Sequence, residues 1–415
     1  MNNRIALGLS ILILVLAALS CNLPWEEEPT PVGVTDTEVI EPPTETQTES
    51  PTETETATVT STATEEPVPG LPVFSSSIIR HVEMFTPFKG WAVTQDGDYL
   101  LLTLDGGDTW LDATPSGLHP LPSGLTTYSL QPFFLDESTA WFTPNNTGAG
   151  ILYHTQDGGV NWTTTALPFD NARYFFLNLN DGYALVSLGA GAGSHYVALY
   201  RTVDGGESWA EIFSHEPGES KSLPESGSKS GITFLDMNNG WVGGTIPMTD
   251  YFYLYMTTDG GATWAQETDI SLPAPYSGSF LEVWQPFFTN MSVGYLPVRA
   301  MASDSTMHLL IYRSSDSGQT WNFQSAVQDG GAVDFYSIDG GWVAVGTDLL
   351  QTVDGGTTWM PAAGSGIPAG ESILEVDFVD GQHGWVIATP DESTLIPLKL
   401  YRTTDGGANW SQLLP

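Results

Sequence analysis

FLDMNNGWVGG at 234–244, followed by MTTDGGATWAQE at 256–267, is the stretch whose reading decides the fold. The second piece holds a short box: Ser or Thr, any residue, Asp, Gly or Ser, Gly, any residue, then Thr, Asn or Ser before a Trp. The box recurs seven times. Its aspartates are Asp105, Asp157, Asp204, Asp259, Asp316, Asp354 and Asp405, and its tryptophans are Trp110, Trp162, Trp209, Trp264, Trp321, Trp359 and Trp410. Six steps from Asp105 to Asp405 give a mean spacing of 50 residues. Upstream of each box stands a Gly-aromatic pair, with Trp91, Trp141, Tyr183, Trp241, Tyr295, Trp342 and Trp385 as the aromatics. Seven residues before each aromatic comes an anchor: Met84, Phe134, Phe176, Phe234, Phe288, Phe335 or Phe378. Small polar residues such as Asp136, Asn178, Asp236, Asn290 and Asp380 stand between anchor and pair.

A period of this length marks a repeat architecture. The spacing predicts four short strands per unit. Strand A carries the anchor, and the polar residue and Gly make the A–B turn, where Gly accepts a positive φ. Strand B starts at the Gly-aromatic pair, and strand C holds stretches such as Leu199 to Thr202. The Asp-Gly-Gly segment is the C–D turn, and strand D begins at the box tryptophan. Strands B and C are apolar at consecutive positions, as sheets buried on both faces require. The expected fold is all-β: a seven-bladed β-propeller of four-stranded antiparallel blades over residues 71–415. A linear β-solenoid is the alternative, though its repeats are usually much shorter. Each box aspartate can accept bonds from its own turn, so the seven read as structural. They lack the further spaced oxygen ligands of an EF-hand.

The box resembles the Asp box of bacterial sialidases, sortilin-type receptors and xyloglucanase-type glycosidases. The longer unit, including FVDGQHGWVIA and YRTTDGGANW in the last repeat, resembles the repeat of the photosystem II assembly and stability factor propellers. That resemblance spans about residues 77–415. It implies a non-catalytic, extracytoplasmic assembly factor that binds a membrane-protein partner through an arginine-rich face. This chain departs there, with only six Arg and four Lys in the propeller region, so only the fold and a broad binding function carry over.

The N-terminus is expected to be an address. Arg4 precedes an apolar run from Ile5 to Leu19, too short to span a bilayer as a helix. Ser20 leads into Cys21, the chain's single cysteine. Residues 1–21 resemble a bacterial lipoprotein signal, which implies lipid attachment at Cys21 and a membrane-anchored protein of the cell envelope or surface. Residues 22–70 hold twelve acids, no base and much Pro, Thr and Ser. Such a segment cannot bury enough apolar surface to offset its entropy, and as a coil it spans roughly 40 Å. It reads as a disordered stalk.

The net charge is −38, from 49 acids against 11 bases, which excludes nucleic acid as a partner. No cofactor or metal site is expected. A sialidase would need three clustered arginines, but Arg201, Arg313 and Arg402 each stand three residues before a box aspartate, in repeat-equivalent places. A two-carboxylate glycosidase stays open, because carboxylate separation cannot be read from sequence. Two functions therefore remain: a non-catalytic protein-binding or assembly module, and a carbohydrate-binding or glycoside-hydrolysing propeller. Either is expected to be a monomer whose partner is an envelope protein or glycan. With the boxes on C–D turns, the opposite face of B–C and D–A loops is free to bind. Its candidate residues are Asp96, Asp98, His195, Asp250, Tyr251, Asp304, Asp348, Asp391 and Glu392.

Overall fold

The computed structural model describes residues 70–75, 78–118, 132–144, 150–215, 221–362, 364, 367, 370–390 and 397–413. The signal segment with Cys21, the stalk to residue 69, and Asp391 and Glu392 lie outside the described residues. Seven antiparallel blades follow one another at 79–112, 133–166, 172–214, 228–266, 280–328, 330–361 and 372–412. In each, strands A to D pair in chain order. Blade 1 gains a fifth, outer strand, Val73–Phe74, which pairs with Trp110–Asp112. In blade 5 strand A is split into Phe280–Val283 and Phe287–Phe288. The first piece also pairs with the long strand B of blade 4, Gly240–Thr249, and so joins two blades into one nine-stranded sheet.

Each of the seven buried apolar clusters spans two neighbouring blades. Tyr183, Leu185 and Leu199 of blade 3 pack with Phe234, Val242 and Tyr253 of blade 4. The set that joins Met84, Ala92 and Trp110 to Trp385, Ile387 and Leu400 unites the first blade with the last. Seven blades with seven shared cores make a closed ring, which a linear solenoid cannot do. Among the described residues no strand is exchanged at the seam. Side chains close it: Trp385 Nε1 donates to Gly106 O at 2.9 Å, and Arg402 Nη1 donates to Asp105 O and Gly106 O at 3.1 Å. Arg402 also pairs with Asp108 at 2.9 Å.

Between blades the strand-B aromatic meets the anchor of the next blade. Tyr183 lies on Phe234 and Tyr295 on Phe335, both with ring centroids 3.6 Å apart. Trp141 lies on Phe176 at 3.8 Å and Trp342 on Phe378 at 4.4 Å. The box tryptophan of the same blade meets the anchor edge-on, as Trp359 meets Phe335 and Trp410 meets Phe378. Parallel stacking on one side and an edge contact on the other is the favoured geometry for aromatic clusters.

The glycine of the Gly-aromatic pair corrects the sequence reading. Gly240 does not take a positive φ. It pairs across the ladder with Phe234, and a Cβ there would stand 2.5 Å from Cδ1 and Cε1 of that ring. Gly294 and Gly341 face Phe288 and Phe335 in the same way. Glycine is required for space under the anchor ring and not for the turn. The turn is held by a side-chain oxygen: Asp236 Oδ1 accepts from Asn238 N at 2.7 Å and Asn239 N at 2.8 Å, and Asn178, Asn290 and Asp380 do likewise.

Candidate functional site

The box aspartates are spent within their own turns. Asp259 Oδ1 accepts from Thr257 Oγ1 and Thr263 N, both at 2.8 Å, and Oδ2 accepts from Thr263 Oγ1 at 2.6 Å. Thr257 Oγ1 in turn accepts from Gly261 N at 2.8 Å. The same network surrounds Asp105, Asp157, Asp204, Asp316, Asp354 and Asp405. Side-chain donation from Thr263, Thr358 and Asn409 holds Asp259, Asp354 and Asp405 below the usual carboxylate range. Each box turn is also tied to the A–B turn of its blade, as Gly260 N is to Asn238 O at 2.9 Å, so both turns share one face. Trp110, Trp264 and Trp321 are buried, whereas Trp162, Trp209, Trp359 and Trp410 are half-buried. Single exposed apolar residues such as Leu179, Val203, Ile338 and Val353 dot this face.

Most of the described candidate residues on the opposite face are held in local contacts. Asp96 accepts from Thr94 Oγ1 at 2.5 Å and Asp98 N at 3.2 Å, which shapes its own turn. Burial, then the charge of Asp96, raises Asp98. Asp304 accepts from Thr306 N at 2.9 Å. Asp348 is exposed and opens strand C of blade 6 (Asp348–Thr352) instead of lying in a loop. Asp250 reaches across to Gly278 N at 2.6 Å. Tyr251 Oη meets Tyr255 Oη at 2.8 Å. His195 lies in strand C of blade 3 (Ser194–Thr202) and joins a local network: its carbonyl accepts from Lys229 Nζ at 2.7 Å, and its Nε2 lies 3.0 Å from Ser187 Oγ. Lys229 is buried and also donates to Glu225 O at 3.1 Å, and burial lowers it to about 8.

A set of groups absent from that reading lines the inner strands. The residue just before the anchor is an acid in blades 1, 6 and 7: Glu83, Asp334 and Asp377. In blades 2, 3 and 5 it is Phe133, Phe175 or Phe287. Asp334 Oδ2 accepts from Phe378 N at 2.8 Å, Asp377 Oδ2 from Met84 N at 2.7 Å, and Glu375 Oε1 from Val82 N at 2.9 Å. Each bond crosses to the next blade. His81 Nδ1 lies 3.1 Å from Glu375, and His81 Nε2 lies 3.8 Å from Glu83. Burial pushes Asp334 up to about 7, and burial plus the charge of Asp334 raises Asp377 well above the carboxylate range. Burial alone would lower His81, but Glu375 and Glu83 outweigh it and raise the ring well above its usual range. His81 still keeps 40% of its side chain open to solvent, so these charges are hydrated from one side. The signal was present in the repeat alignment: one position beside the anchor changes from aromatic to acid in consecutive blades.

A groove of about 780 Å³ lies on blades 5 to 7, with Glu375 in its lining. Three of its lining residues, Trp284, Gly331 and Leu374, stand four positions before their anchors and so are repeat-equivalent. At this level the strand-A register shifts in blades 6 and 7, between Gly330 and Val333 and between Ile373 and Glu375. Such bulges re-aim side chains. Arg299 and Glu375 contribute charge to the lining. Among the described residues no group of three or more His, Cys, Asp or Glu can hold a metal ion.

Comparison with solved structures extends the fold. A structure of YCF48 bound to a D1 peptide superposes with a TM-score of 0.50 at 17% identity, over 81% of this chain and 98% of that one. The propeller fold is shared with YCF48. The protein from Cyanidioschyzon merolae gives 0.51 at 19% identity, over 77% and 95% of the two chains. A GH74 xyloglucanase from Xanthomonas campestris gives 0.54 at 14%, over 83% of this chain and 55% of the enzyme. No family model matches the sequence, and no curated protein matches it. These similarities concern architecture. They span both peptide-bound and sugar-cleaving propellers.

Proposed function

We propose that this chain is a non-catalytic protein-binding or assembly module, a monomer held at the outside of the cell membrane by a lipid on Cys21, which binds through the face opposite its box turns. The single observation that carries the reading is the groove on blades 5 to 7: it lies on that face, with Trp284, Arg299 and Glu375 in its lining. The box aspartates are bonded within their own turns and so offer no free carboxylates to a partner. YCF48, a propeller of the same fold, has been seen with a peptide bound. The apolar run before Cys21 and the acidic stalk after it supply the address and the spacer.

The carbohydrate reading is favoured by one observation, the carboxyls of Asp334 and Asp377, which stay protonated more readily than usual. A glycosidase needs one such acid beside a free carboxylate. Here Asp334, Asp377 and Glu375 each accept a backbone N–H of the adjoining blade, which assigns them to holding the ring. The test is capture from envelope extract by the full chain, run beside a glycan array and a reducing-sugar assay. A specific captured protein with no sugar released is the expected result. Sugar release that stops with Asp334→Asn would replace this reading with the enzymatic one.

A further inference from the structure

The groove on blades 5 to 7 combines two properties that together select a ligand. Its walls are apolar, with Trp284, Met307, Ile373 and Leu374, and Leu374 is 38% exposed. Its lining carries two acids, Asp329 and Glu375, and one base, Arg299, which lies 3.7 Å from Glu282; Glu375 also has His81 Nδ1 at 3.1 Å on one oxygen. An anionic ligand would find one lining cation, Arg299, already beside Glu282, against the two lining acids and a chain of net charge −38. A neutral glycan could stack on Trp284 and bond to Asp329, Glu375 and Ser372, but it would leave the charge of the two acids unmatched. A bare cation would leave the apolar walls unused.

Backbone geometry adds a third property. Residues 331–332 and 374 fall out of the strand-A ladder at the register shifts, so an extended chain laid there can meet main-chain groups as well as side chains. Gly331 sits in the middle. A Cβ on it would have one neighbour within 4 Å, Ala344 O at 3.6 Å, so the floor is open at its centre.

We propose that this groove takes an extended basic segment of a partner protein, its apolar side chains resting on Trp284, Met307 and Leu374 and its Lys or Arg cation meeting Glu375. The inference rests on the protein-binding reading above and narrows it to one place and one chemistry. An acidic groove also speeds encounter with a basic partner and makes binding salt-sensitive.

The test uses the full chain and an array of synthetic peptides of equal length, sampling basic-apolar, acidic and neutral sequences. Basic-apolar peptides should bind, and more weakly as salt rises. Gly331→Leu, which fills the floor, should weaken binding at least about tenfold with the melting temperature unchanged. Gly117→Leu, at an open site elsewhere, should bind as wild type. Glu375→Gln keeps an acceptor for Val82 N and should flatten the salt dependence. If Gly331→Leu fails to fold, Trp284→Ala takes its place. Preference for acidic or neutral peptides, equal binding by both groove variants, or no peptide bound at all would overturn the inference. Capture of a specific envelope protein by the full chain that persists in Gly331→Leu would overturn the groove while leaving the protein-binding reading standing; loss of all capture by the wild type would end both.

Discussion

Adding one methyl at residue 240 tests how the blades are joined. The Cβ of Gly240→Ala would stand 2.5 Å from Cδ1 and Cε1 of Phe234 and 2.8 Å from Cγ. The ring has little freedom to retreat. Tyr183 covers its far side at 3.6 Å with the planes 3° apart, and Trp264 meets its edge at 6.4 Å. Tyr183 is itself fixed, because its hydroxyl donates to Met237 O at 2.8 Å. Overpacking of this kind costs about 1–3 kcal/mol. Urea denaturation followed by circular dichroism measures it. Phe234→Leu, which removes the ring, should relieve the clash, so the double variant should be more stable than the two single changes add up to, by about 1 kcal/mol or more. Gly331→Ala is the control: with open space around its Cβ it should be neutral, or stabilised by about 0.4–1 kcal/mol through the unfolded chain. A Gly240→Ala protein as stable as wild type, or one that Phe234→Leu does not rescue, would refute the steric role of this glycine.

Other outcomes follow from the same contacts. Asp259→Ala leaves the Thr263 and Thr257 donors without their acceptor and should cost roughly 1–3 kcal/mol in the same denaturation assay, with peptide binding unchanged. Asp334 has a folded pKa of about 7, above its unfolded value, so folding favours its protonated form. Its contribution to stability should be fully present below about pH 4 and lost as pH rises toward 7. Thermal melts of Asp334→Asn should therefore change less between about pH 5 and pH 8 than those of wild type. Cys21→Ser should move the protein from the membrane fraction to the soluble fraction, and mass spectrometry should find a lipid on the wild type only.

Much of the ring was legible because its parts are periodic. The anchors, the strand-B aromatics and the boxes recur at fixed offsets, and those offsets locate strands A to D in each blade. What periodicity hides is any feature made by contact across blades or across a ladder. Gly240 reads as a turn residue from its neighbours in sequence, but its partner is Phe234 on the next strand. The split strand A of blade 5 and its pairing with Gly240–Thr249 depend on long-range pairing with no local mark. Asp348 reads in sequence as an acid of a B–C loop, yet it opens a strand. The groove draws on Trp284, Gly331 and Leu374, residues more than forty apart, which only ring geometry brings together. The acids of the inner strands left a mark that an eye on the anchors passes over, one position upstream at Glu83, Asp334 and Asp377.

Which face meets the partner is the claim on which the functional account turns, and site-specific photocrosslinking reads it directly. A photoreactive side chain is placed at Leu374, in the groove, or at Leu179, exposed on the box face, and the full chain is irradiated with envelope extract. The account predicts a discrete crosslinked protein from position 374, competed away by a basic-apolar peptide, and none from position 179. A crosslink from position 179 alone would place the partner on the box face and contradict it.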